Sequence, residues 1–159
     1  MEPSLVSTQL SVIGIPHQIF VHPGQLRSLE QAAEERGQCP EQIVRSILFR
    51  LSKGDYLMVL MAGPRQIDWK SLRKYLGTSR ISMASKDEVL TVTGYELGAV
   101  APFGLPKPLR ILVDQSVLAE EELSMGSGLR NVAILLKSAD LMQALGDVEI
   151  GNFCGEDCE

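Results

Sequence analysis

"IVRSILFRLSKGDYLMVLMAG" (residues 43–63) holds two apolar runs on either side of Ser52, Lys53, Gly54 and Asp55. Turn-forming residues between two β-prone runs predict a hairpin. Strands joined this tightly must be antiparallel, because parallel neighbours need crossovers of roughly a dozen or more residues. Outward from the hairpin, helices are predicted at 4–13, 28–37, 67–77 and 138–146, and strands at 17–22, 80–84, 109–114 and 131–137. Ser28 and Gly37 bracket the second helix as N-cap and C-terminal stop, and Asp68 and Gly77 do the same for the third. Ser85 and Glu88 form a capping-box pattern, and an acidic segment at Glu120–Glu122 precedes a glycine turn. Helices and strands mix without a regular βαβ beat, so the pattern predicts an α+β domain with a mixed, curved sheet and helices packed on it.

With 159 residues, 45% of them hydrophobic and 22% charged, the chain suits a single globular domain. Residues 3–26 carry no charged side chain, yet Ser, Gln, His, Pro and Gly interrupt them too often for a membrane span. The start "MEPS" lacks the basic residues of a signal peptide, so a cytoplasmic location is expected. From Asp147 onward there are acids and no base, and they account for the whole formal charge of −5. The expected division is a domain over 1–146 and an acidic tail over 147–159. Three cysteines are an odd count for a disulfide framework, and Cys154 and Cys158 lack zinc-knuckle spacing. A frayed, reduced terminus and no metal are expected.

Few residues carry obvious chemistry. The histidines are His17 and His22, and no nucleophile elbow accompanies them. His22 is either an acid–base group or a strand-end residue completing a hydrogen bond. "GSGLRN" (126–131) begins like a dinucleotide fingerprint but has Asn131 for the third glycine, which leaves a tight turn or a pocket lining. Lys70, Arg73 and Lys74 share a helix face that is either solvated or in contact with phosphate. Arg45 sits among apolar neighbours with Ile47 on its strand face, and is either snorkelling outward or aimed into a polar cleft. "GYELGAVAPFGLPKP" (94–108) is too rich in glycine and proline for a helix interior or a central strand, and too apolar for a linker.

In that order and spacing, "QIVRSILF", "GYELGAVAPFG", "LRILVDQSVL" and "GSGLRN…LKSADL" resemble the YbaK/prolyl-tRNA-synthetase-associated domain family over roughly residues 5–146. The resemblance implies a partly open β-barrel-like sheet with flanking helices. It implies hydrolysis of the ester joining a wrong amino acid to the terminal adenosine of a tRNA, with no cofactor, metal or protein nucleophile. It places a glycine-x-x-x-proline loop on Gly98–Pro102 and pocket walls on Phe20, His22, Gly126, Ser127 and Gly128; Ile47, on the strand face of Arg45, is expected to bind substrate as well. Two departures stand out: Arg45 replaces the common family lysine, and Ala133 replaces an acid carried by well-known bacterial members.

These readings combine into one expectation, a trans-acting aminoacyl-tRNA deacylase. Arg45 serves as its positioning cation, and the N–H groups of Ala99 and Val100 receive the ester carbonyl. Pro102 stiffens the loop, and Lys70, Arg73 and Lys74 touch the acceptor stem. Its partners are a mischarged tRNA and an aminoacyl-tRNA synthetase. The alternatives are a catalytically retired module that binds tRNA ends, a nucleotide or a synthetase, and a structural partner docking through the acidic tail.

Overall fold

The structure, a computed structural model, describes residues 3–52 and 54–154. In chain order the elements are α1 (Leu5–Val12), β1 (Gln18–Val21), α2 (Leu29–Arg36), β2 (Val44–Ser52), β3 (Asp55–Ala62), α3 (Trp69–Leu76), β4 (Ser82–Met83), α4 (Lys86–Thr93), β5 (Arg110–Asp114), β6 (Glu122–Gly126), β7 (Val132–Lys137), α5 (Ser138–Leu145) and β8 (Glu149–Gly151). The hairpin forms as predicted, with Arg45 opposite Met61 and Ile47 opposite Val59. It lies in a mixed sheet ordered β4-β2-β3-β5-β8, in which β5 runs parallel to β3 and β8 parallel to β5. A second sheet is ordered β1-β7-β6. Among the described residues an isolated bridge between Ile43 and Ser124 joins the two, and the described strands leave the barrel open, as the resemblance implied.

β3 is buried from Leu57 to Ala62, as an apolar run enclosed on both faces must be. Strand alternation sends its side chains to two cores. Met58, Leu60 and Ala62 join Val44, Leu48, Leu123, Met125 and Ile134 between the sheets. Leu57, Val59 and Met61 join Phe49, Leu72 and Phe153 beneath α3.

The predicted caps hold the helices at their ends. Ser28 Oγ accepts from the Gln31 N–H, and Gly37 closes α2 at φ 70°. Asp68 and Gly77 bracket α3, and the Ser85–Glu88 capping box opens α4.

Four expectations change. The strand at 80–84 shrinks to the two residues of β4. The acidic segment at Glu120–Glu122 leads into β6 after a 3-10 turn at Gln115–Leu118. The boundary at Gly146 is also corrected, because β8 pairs with β5 and Phe153 is fully buried. The Phe153 N–H donates to Asp114 Oδ1 at 2.7 Å, and its carbonyl accepts from the Asp68 N–H at 2.8 Å. Cys154 is buried and disulfide-bonded, contrary to a frayed, reduced end; Cys158 lies outside the described residues. No helix among the described residues is long and apolar enough to cross a membrane.

Candidate functional site

A cleft of about 240 Å³ opens at the seam of the two sheets, and Ile43 of the bridge is part of its wall. Arg36, Arg45, Ser46, Gly98, Val100 and Gly126 line it as well. Among the described residues its lining carries two guanidinium groups and no carboxylate, on a chain of net charge −5.

One wall is the glycine–proline loop. Gly94 ends α4 at φ 79°, and the buried Tyr95 turns inward so that its hydroxyl donates to the Phe103 carbonyl at 2.5 Å. That bond closes residues 95–103 into one unit, with Ala101 and Phe103 in the core and Pro102 buried between them. The Ala99 N–H donates to the Glu96 carbonyl at 3.0 Å and Gly98 has φ 91°, the features of a type II turn, whose third position requires positive φ. A Cβ on Gly98 would meet nothing within 4 Å, so the backbone there faces open space. The expected pair of N–H donors is thereby reduced. Ala99's is taken by the turn, whereas Val100's has no partner among the described residues.

The glycine turn of 126–128 is locked to this loop. Gly128, at φ 88°, donates its N–H to the Ala99 carbonyl at 2.9 Å. Gly126 lies so close beneath the Val100 carbonyl that any Cβ would collide with it. Ser127 is fully buried; its Oγ donates to the Val132 carbonyl at 2.7 Å and accepts from the Leu129 N–H at 3.1 Å. Of the three, Gly126 reaches the cleft and the other two hold the turn.

Arg45 lines the cleft, with its head group tied back to the chain. Nε donates to the Gly63 carbonyl at 2.8 Å and Nη2 donates to the Arg65 carbonyl. Partial burial away from water lowers its pKa. Ser46 Oγ, also in the lining, is buried without a hydrogen-bond partner among the described residues. Ile47 packs into the other core with Phe49 and is no part of the cleft wall.

His22 and Phe20 act one layer behind. His22 is buried, and Phe20 sits edge-on to it with ring centroids 4.8 Å apart. The carboxylate of Glu35 can only accept at His22 Nδ1 (2.7 Å), and Arg36 Nε can only donate to Nε2 (3.0 Å). The imidazole therefore carries its proton on Nδ1 and seats Arg36. The bonds from His22 first and Gln31 second hold the Glu35 carboxyl below its ordinary pKa. Arg36 Nη1 donates to the buried Ser124 Oγ at 2.9 Å, and burial lowers the pKa of Arg36 to about 10.

Sequence reasoning missed Arg36, Ser46 and Asn131. Arg36 reads as an ordinary basic residue in the last turn of a helix. Asn131 offered a signal: it stands where a fingerprint would have glycine, and it adopts φ 61° in the left-handed region that asparagine tolerates. Lys70, Arg73 and Lys74 lie on α3 and contribute nothing to the cleft wall. Ala133, buried opposite Phe20 and Gly126, brings no charge.

The profile of the aminoacyl-tRNA editing domain family matches residues 22–144. The uncharacterized protein YwhH of Bacillus subtilis is 34% identical over 116 residues, 73% of each chain. The proline–tRNA ligase of Aquifex aeolicus is 27% identical over 120 residues, which are 76% of this chain and 20% of the ligase. Among solved structures, a candidate trans-editing enzyme for prolyl-tRNA synthetase superposes with a TM-score of 0.87 at 24% identity, covering 98% of this chain and 99% of that one.

Proposed function

We propose, on the premise that this chain belongs to the aminoacyl-tRNA editing domain family, that it is a trans-acting deacylase of mischarged tRNA. Hydrolysing the ester places negative charge on the carbonyl oxygen. The uncommitted Val100 N–H, beside the open backbone of Gly98, is the observation that carries the reading. A fixed donor of this kind needs no reorganisation as the charge forms, and losing one typically costs about 2.7–4 kcal/mol of transition-state stabilisation. Arg45, kept charged and oriented by two carbonyls, supplies positive potential across the cleft. The attacking water is positioned with help from the hydroxyl of the terminal adenosine, so no protein nucleophile is required. A cleft of about 240 Å³ suits a small aminoacyl group. Small side chains are where synthetases err, because one methylene in a binding pocket gives only about 1–3 kcal/mol of discrimination.

The test is release of amino acid from a panel of tRNAs mischarged with small residues. Wild type is expected to deacylate at least one, and Arg45→Ala to lower that rate about a hundredfold or more, as expected for a loss of about 3 kcal/mol. Failure on the whole panel removes the enzyme reading. One observation favours the second reading, a retired module that binds tRNA ends, a nucleotide or a synthetase: two of the Arg45 donor nitrogens are already committed to backbone. Arg45→Lys distinguishes the two. Turnover appearing only in the variant identifies a retired enzyme.

A further inference from the structure

Arg36 is a partly buried cation lining a cleft, yet among the described residues no carboxylate hydrogen-bonds to it. Its two bonds go to neutral acceptors, His22 Nε2 and Ser124 Oγ. The adjacent Glu35 is committed elsewhere, Oε1 to His22 and Oε2 to Gln31. Nor does the end of α2 call for this charge, because the Ala33 and Glu34 carbonyls already accept from the Gln38 and Gly37 N–H groups. Arg36 instead reaches across to β6, where Ser124 marks the seam between the sheets. A guanidinium has five N–H donors, so several stay available beyond the bonds to His22 and Ser124. The Glu35 charge favours the Arg36 cation without, among the described residues, bonding to it. Burying a charge with no directly bonded counter-ion is unfavourable, and an anion entering the cleft would relieve it. An aminoacyl ester has no free carboxylate, so the anion such a substrate offers is a phosphodiester.

We infer that Arg36, seated by His22 and Ser124, holds a phosphate of the 3′-terminal nucleotide in the cleft. This rests on the cleft being an aminoacyl-tRNA site and adds to that site its phosphate contact. Guanidinium suits the task because it pairs with phosphate oxygens in a fork of parallel hydrogen bonds.

The experiment titrates the full-length protein with adenosine 5′-monophosphate and with adenosine, read by calorimetry or amide NMR shifts. Wild type is expected to bind the monophosphate about tenfold or more tightly than adenosine, the scale of a charge-assisted contact. Arg36→Gln is expected to bring the two affinities together by weakening the monophosphate, and Arg36→Lys to keep part of the preference. His22→Phe keeps the cation and removes its seat; a several-fold loss of the preference is expected, which also covers the case of a poorly folded Arg36→Gln. Equal binding of both ligands by wild type, or full preference in Arg36→Gln, overturns the assignment. Preference intact with no deacylation on any tRNA sinks the enzyme reading and leaves the phosphate contact standing. Deacylation without the preference does the reverse.

Discussion

Gly98 separates two effects that usually travel together. Its φ of 91° is strained for any L side chain, while a Cβ there would touch nothing. Gly54, in the turn of the central hairpin, has the same properties at φ 87°. Alanine at either position should therefore destabilise the fold by a similar amount, about 1–2 kcal/mol from the left-handed backbone. Only at position 98 does the backbone border the cleft. Gly98→Ala is expected to lower deacylation at least about tenfold beyond any effect of stability, and Gly54→Ala to leave it unchanged. Urea unfolding of both variants alongside single-turnover hydrolysis checks this, and equal activity losses would remove the special role of the loop.

Among the elements, β8 departs furthest from its sequence appearance. "DVEIGNFC" is short and partly acidic, and it follows a helix stop, so nothing in its own pattern marks it as sheet. Its place comes from partners elsewhere: β5 for the backbone, Asp114 and Asp68 for Phe153, and Arg110 and Tyr75 for Glu149. The Phe153 ring fills the core beneath α3 edge-on to Tyr75, with centroids 5.1 Å apart. Phe153→Ala is expected to cost about 3–5 kcal/mol, the range for truncating a buried aromatic, measured as a lower urea midpoint. Truncation after Gly146 removes the same ring, so loss of a partner in that variant would report unfolding as readily as a lost docking arm. A Phe153→Ala midpoint within error of wild type would show that β8 is dispensable.

Across the whole molecule, stability at acid pH depends on carboxylates clamping separate elements together. The Glu88 pKa falls from its ordinary 4.5 to about 2, first through the Ser85 backbone N–H and then through the Tyr56 hydroxyl. Glu149 also falls to about 2, with Arg110 as the largest cause and Tyr75 assisting. Both folded values lie below the unfolded ones. The stabilisation is therefore complete above about pH 4.5 and is lost as the pH falls toward 2. The urea midpoint should hold steady from neutral pH to about 5 and then decline, and the decline should be shallower in Glu149→Gln. A parallel decline in wild type and variant would show that the Arg110–Glu149 pair does not couple folding to protonation.

Helix caps, the hairpin and the glycine–proline loop were legible in the chain itself, because each depends on residues within a few positions of one another. Ser28, Asp68 and Ser85 accept from backbone three residues on. Alternation along the first strand of the hairpin put Arg45 and Ile47 on one face. The loop's glycines and prolines likewise marked it as neither helix nor strand. The candidate site was legible at Arg45 and where it is made of backbone, at Gly98, Val100 and Gly126, all of which line the cleft.

Its side chains were settled by tertiary structure. Arg36 meets His22 and Ser124, fourteen and 88 positions away in the chain. Arg45 turns to carbonyls that the 63–65 bend happens to present, and Ser46 loses water without gaining a partner. Local pattern fixes backbone conformation because its energies act between near neighbours. The direction of a long polar side chain is set by whichever acceptors the assembled fold brings within hydrogen-bond reach.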